Sequence, residues 1–279
     1  MRAKLRQAAS FAKEVVQEFK RDRGGLFAAA ISYYGLISLI PLLLVAVAVF
    51  GHVMGSYVTA RREVLDFIGH LIPVRAKDLE HSLEQLSRQV GVVGVLGVLG
   101  LLWTGLQVFV TLQEVMNVAV GAEKSRGFFR ARWKALVTVF VAGLLFVLSI
   151  GTTSLLVAAR GLKLGMSLSE VHVLWDSLGL ATAYLLSVTA FTFAYAFLPA
   201  KKIGIVGPVV GGVIAGLLFE IAKHIFKWYV SNLGNFDLIY GSLAGAVVLV
   251  VWMYCASFIT VLGAEVASVY AKRRASQAP

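Results

Sequence analysis

Six runs of apolar residues, at roughly 26–50, 90–110, 135–159, 178–198, 205–226 and 238–264, are each long enough to cross a bilayer, which takes about 20 residues at about 1.5 Å rise. They are nearly free of charge and lack the alternation of half-buried strands. The pattern therefore predicts an all-α polytopic membrane protein, a bundle of six transmembrane helices. Before the first run, Leu5, Ala8, Ala12, Val15, Val16 and Phe19 recur at helical spacing, while Arg6, Lys13, Gln17 and Lys20 take the other face. Residues 1–25 thus read as an amphipathic N-terminal helix, lying in the interface or docked on the bundle. Residues 26–266 form the membrane domain, and 267–279 a basic cytoplasmic tail. Within the domain, the external segment 51–89 carries two amphipathic patterns on either side of Pro73, expected as two short capping helices. The long N-terminal apolar run, preceded by some 25 mostly polar residues, reads as an anchor rather than a cleaved signal.

Composition agrees, with 58% hydrophobic and 15% charged residues among 279, against about 25% charged in soluble domains. The net charge of +11 changes the picture only through its placement. Arg2, Lys4, Arg6, Lys13, Lys20, Arg21, Arg23, Lys124, Arg126, Arg130, Arg132, Lys134, Lys201, Lys202, Lys272, Arg273 and Arg274 fall on one side of the expected topology, and the other side has fewer bases mixed with acids. The positive-inside rule then places both termini in the cytoplasm, with the basic surface facing anionic headgroups of membrane lipids rather than nucleic acid. Cys255, the single cysteine, permits no intrachain disulfide and reads as a core residue.

Charges at depth in hydrocarbon cost about 2.5–3.5 kcal/mol each, so every one is a candidate for function. Glu220, Lys223, His224 and Lys227 share one face of the fifth run, and Glu220 lies about 22 Å into a core of about 30 Å. It reads either as a protonatable or ligand-binding group, or as an intrahelical partner of Lys223 or His224. In the first run, Tyr34 and Ser38 precede Pro41, whose ring removes a backbone hydrogen bond and bends the helix, as in helices that line cavities. Asp237 and Tyr240 stand at the mouth of the sixth run, and Glu265 closes it near the cytoplasmic interface. Small residues spaced by four, Gly207 with Gly211, Gly212 with Gly216, and Gly241 with Gly245, predict close helix packing. No HExxH, GxSxG, GxGxxG or P-loop pattern occurs, and the five histidines are scattered. No catalytic residue, metal or cofactor is expected from such a set.

Several stretches resemble the YihY/BrkB family of bacterial inner-membrane proteins, whose virulence factor BrkB label sits beside an older ribonuclease BN label. They are Ala29 to Tyr34 with Leu39-Ile40-Pro41-Leu42, and Phe236 to Gly245 leading through Trp252 to Leu262-Gly263-Ala264-Glu265. Trp103, Asn117 and Glu220 to Lys223 also fit the family pattern, while Val118-Ala119-Val120 departs from it where an aromatic usually follows the Asn. The resemblance implies a six-helix inner-membrane fold with cytoplasmic termini. Three functions compete. A transporter or lipid-handling protein needs a cavity lined by Tyr34, Ser38, Glu220 and Tyr240. A scaffold with an envelope or virulence-related role would use the external segment and glycine-rich faces, and as such would form homo-oligomers. A membrane ribonuclease, the disfavoured reading, needs gathered acids that the cytoplasmic loops lack.

Overall fold

A computed structural model describes residues 2–54, 90–122, 132–138, 140–141, 168–201, 203–232 and 244–277. The external segment 51–89 beyond Met54, most of the third apolar run, Asp237, Tyr240 and Gly241 lie outside the described residues. Six helices follow in order: α1 (Arg2–Arg21), α2 (Gly24–Met54), α3 (Val90–Ala119), α4 (Leu168–Phe197), α5 (Val206–Asn232) and α6 (Ala244–Gln277). Residues 132–138 add a shorter helical segment. Among the described residues, Val206–Val230 and Gly245–Ser276 are long and apolar enough to cross a membrane, and Gly24–Leu39 and Ala181–Phe197 are shorter apolar stretches.

The helices overrun the apolar stretches that announce them. Helix α6 continues past Ala264 to Gln277, so most of the segment expected as a basic tail is helical. The reason is packing: Val266, Ala267, Ser268 and Val269 are buried, and helix geometry is retained where one face has a partner. Chain breaks use the residues expected of them. Gly121, at φ 64°, ends α3 with Ala122 N–H donating to the Asn117 carbonyl and Gly121 N–H to the Val118 carbonyl, a Schellman arrangement. Between α1 and α2, Arg23 adopts φ 56°.

Contacts divide the chain into two units. Unit 1 comprises Met1–Asp22, Gln113–Glu220 and Leu262–Pro279, and unit 2 comprises Arg23–Leu112 and Ile221–Val261. In unit 2, Ser32 and Gly35 are buried on α2, and Gly35 faces the Met253 side chain of α6. Phe226 of α5 packs on Trp252 of α6 with ring centroids 5.1 Å apart.

Unit 1 is organised by the glycines of α5. Gly207 and Gly211 face α6, where a Cβ on Gly211 would stand 2.6 Å from the Gly263 carbonyl oxygen and 2.7 Å from Ala267 Cβ. Gly212 and Gly216 face α4, where a Cβ on Gly212 would stand 2.9 Å from the Thr192 nitrogen and 3.0 Å from the Val188 carbonyl oxygen. The two small-residue pairs thus serve different neighbours, and hydrogen in place of a side chain lets backbone meet backbone.

Helix α1 lies on α6, the docked alternative for its apolar face. Val15 packs with Val266 and Val269, joined by Phe11, Val210, Ile214 and Leu262. Its polar flank is fixed by charge: Arg273 donates to Glu14 at 2.6 Å and stands over the Phe11 ring at 5.3 Å, and Lys272 donates to Glu18 at 3.2 Å.

Two predictions follow from these contacts. Gly211→Val forces α5 and α6 apart and lowers unfolding stability in detergent by about 1–3 kcal/mol, the usual cost of overpacking. Val213→Leu, on an exposed position of the same helix, changes it by less than about 0.5 kcal/mol. For α1, Val15→Ala removes two buried methyl groups and costs about 1.6 kcal/mol. A double-mutant cycle between Glu14→Gln and Arg273→Gln gives a coupling below about 1 kcal/mol, because the pair is part exposed. A larger coupling would assign the docking to charge instead of apolar contact.

Candidate functional site

Two buried carboxyls belong to unit 1. Glu220, on α5, is 7% exposed, and Ser187 of α4 donates its hydroxyl to Oε1 at 3.0 Å. Gly212 and Gly216 make this bond reachable, since they set the close approach of α4 and α5 one to two turns away along the same helix. Of the alternatives open to Glu220 in sequence, a partner on another helix was not foreseen. A lone serine in the apolar run 178–198 carries no mark that sets it apart.

Glu265, on α6, is 1% exposed, and no protein group donates to its Oε2. At the end of its span it is thus buried within the protein rather than exposed, between the buried Ala264 and Val266. The charged groups near enough to act on it are Asp22, Lys272, Glu18 and Arg21. Glu18 accepts from Arg21 at 2.5 Å and from Lys272 at 3.2 Å, and Asp22 Oδ1 accepts from Arg21 at 3.1 Å. The bond that Arg21 donates to Asp22, together with that carboxylate's charge, holds the guanidinium in its charged form above the ordinary arginine range. Asp22 Oδ2 has no donor.

More polar groups line the same unit. Gln113 and Asn117 are buried on α3. Asn117 Oδ1 accepts from the Ala200 backbone N–H at 2.7 Å, which ties the end of α3 to the turn after α4. Ser268 of α6 donates to the Ala119 carbonyl. Lys134 donates to the carbonyl oxygens of Phe197 and Pro199, and its ammonium stands 4.8 Å from the Phe197 ring centroid, where the last carbonyls of a helix favour a cation. Asn117, Ser268 and Lys134 thus complete helix ends by pairing with backbone that would otherwise lack a partner, whereas Gln113 Oε1 has no donor.

The remaining candidates belong to unit 2 or lie outside the description. Tyr34 is half-buried with its ring edge-on to Tyr33 at 5.5 Å, and Ser38 donates to the Gly35 carbonyl one turn back at 2.8 Å. Lys223 is half-buried and His224 exposed on α5. The side chains of Pro41, Asp237 and Tyr240 are outside the described residues, so the expected lining of Tyr34, Ser38, Glu220 and Tyr240 is not assembled on one unit. Among the described residues, no three His, Cys, Asp or Glu side chains converge as a metal site would require. Sequence reasoning passed over Asp22, Gln113 and Ser187. Asp22 and Gln113 stand next to charged or polar neighbours at helix ends, where solvent exposure is the ordinary expectation.

Comparison with known proteins adds a lineage to this geometry. A protein-family model described as Virulence factor BrkB matches residues 15–279. A UPF0761 membrane protein of Legionella pneumophila strain Corby is 28% identical over 278 residues, covering 98% of this chain and 66% of that protein. A UPF0761 membrane protein of Alkalilimnicola ehrlichii is 28% identical, covering 94% of this chain and 58% of that protein. The chain thus spans less than two-thirds of the length of these curated relatives. A ribonuclease-like protein of Bacillus subtilis, YfkH, is 25% identical, with 95% of this chain and 96% of that protein covered. No solved structure matches. The model match runs from within α1 to the C-terminus, including both glycine seams and both buried acids, and the chain is a membrane protein of the BrkB family.

Proposed function

We propose that this chain is a multi-pass protein of the bacterial inner membrane that moves or hands over a lipid or small solute, with six membrane-crossing helices and both termini in the cytoplasm. The observation that carries the reading is Glu220. A carboxyl 7% exposed in a helix long and apolar enough to cross a membrane is costly to keep, and Ser187 of α4 donates its hydroxyl to Oε1. Such groups are retained where a substrate or a proton visits them. The distribution of lysine and arginine supports the orientation, and the relatives named as membrane proteins support the location.

The scaffold reading is weaker for a specific reason. Its intermolecular seams were to be the glycine-rich faces, and on α5 those faces are occupied by α4 and α6 of the same chain. A ribonuclease, suggested by the name of the Bacillus subtilis relative, would gather acids or histidines at one place. The acids that do gather, Glu265 with Asp22 and Glu18, are interleaved with Arg21 and Lys272, and among the described residues no three such groups form a metal-holding set.

The test is reconstitution of the full chain in liposomes, with transbilayer movement of fluorescent phosphatidylglycerol and phosphatidylethanolamine as the readout. In Glu220→Gln the amide oxygen still accepts from Ser187, so the fold is retained and only the charge is lost. Movement then falls at least tenfold, about 1.4 kcal/mol in the rate-limiting barrier. Ser187→Ala gives a smaller loss. A rate unchanged in Glu220→Gln would return the weight to the scaffold.

A further inference from the structure

The docking of α1 covers only part of its apolar face. Val15 is 4% exposed and packs with Val266 and Val269, while Val16, the next residue, is 48% exposed. With Val15 turned to α6, steps of about 100° per residue put Ala12 at about 60° around the helix, Val16 at about 100°, Lys20 at about 140° and Lys13 at about 160°. Ala8, Ala9, Ala12 and Val16 thus form an exposed apolar strip, and Lys13 and Lys20, also exposed, run along its outer edge. Arg6, exposed as well, continues that edge toward the N-terminus.

Charge is sorted between the two sides of the helix. Both acids of α1 are paired toward its docked side, Glu14 with Arg273, and Glu18 with Lys272 and Arg21. Among the described residues, Arg6, Lys13 and Lys20 form no ion pair. The free side of α1 therefore presents bases alone beside apolar side chains. Its height is set by α6. The contacts of α1 fall between Val266 and Arg273, near the end of a helix long and apolar enough to cross a membrane. The free side is held where such a helix passes through the headgroup layer, about 5–7 Å deep on each face of a bilayer.

We infer that this side of α1 seats on the anionic phospholipid surface of the leaflet at which α6 ends. A strip of three alanines and one valine is too shallow to hold a helix within hydrocarbon, and it suits the boundary between headgroups and acyl chains. The lysines supply the rest, since each base near an anionic surface multiplies partition about fivefold. A second copy of this chain is a poorer occupant, because a two-fold contact through the same face sets Lys13 and Lys20 against their own counterparts. Such seating needs no transported substrate and stands apart from Glu220.

The experiment places the full chain, in a Cys255→Ser background, in nanodiscs of phosphatidylcholine alone or mixed equally with phosphatidylglycerol. A fluorophore on Val16→Cys is quenched either by nitroxide carried on lipid headgroups or by acrylamide in water. The ratio of lipid to water quenching rises at least threefold when phosphatidylglycerol is present. High salt, or Lys13→Gln combined with Lys20→Gln, returns it to the phosphatidylcholine value, because both remove the attraction of bases to the surface. A fluorophore on Gln17→Cys, about 200° from Val15, stays open to acrylamide in both discs. Should Val16→Cys dislodge α1, Ala12→Cys carries the test. An equal ratio in the two discs, or an unchanged ratio in the double lysine variant, overturns the inference. Shielding from acrylamide without quenching by lipid also overturns it, and gives the face to a protein partner.

Discussion

Backbone contact across the glycines of α5 is the constraint on which unit 1 depends. In lipid, apolar side chains gain little by leaving one hydrocarbon neighbour for another, so helices associate through close packing and the bonds that packing permits. Gly207 and Gly211 admit α6, and Gly212 and Gly216 admit α4, on two faces of one helix. With both neighbours drawn in, α5 becomes the central element of the unit. The polar contacts are consequences. Ser187 reaches Glu220 because α4 lies against Gly212 and Gly216, and Val210 and Ile214 meet Leu262 and Val266 because α6 lies against Gly207 and Gly211.

Close packing also sets which polar groups are compensated. A side chain caught between helices either finds a donor on its neighbour or keeps an unmet demand, since water does not reach it. Glu220 and Asn117 meet partners from across the unit, a serine hydroxyl and the Ala200 amide. Glu265 does not, although two basic groups act on it, because Glu18 and Asp22 hold those bases in other pairs. The contrast between two acids in one unit separates them in kind. Glu220 has a hydroxyl of the neighbouring helix on its Oε1, and Glu265 has no protein donor on its Oε2.

Much of this was legible in the chain. Among the described residues the apolar runs coincide with helices, and the four-residue spacing within Gly207–Gly211 and Gly212–Gly216 marked the seams, because lipid makes residue size and hydropathy the dominant variables. What sequence could not give was pairing between distant positions. Nothing in the spacing of Ser187 and Glu220, 33 residues apart, marks that serine as its partner rather than the threonines of the same run. The reach of α6 was hidden for a related reason: residues 267–279 read as a basic cytoplasmic tail, and it is the cover of α1 that buries Val269 and carries the helix on to Gln277. An amphipathic helix announces its apolar face in sequence but not what covers it, and for Val15 and Phe11 of α1 the cover was its own C-terminal helix.

That cover joins the two ends of the chain. Helix α1 brings Glu14 and Glu18 to Arg273 and Lys272, so the lysine that acts on Glu265 is held in a pair with Glu18. Because the flanking ion pairs are part exposed and each of modest strength, the burial of Val15 against Val266 and Val269 decides where α1 lies, and the pairs of Glu14 and Glu18 fix its register on α6.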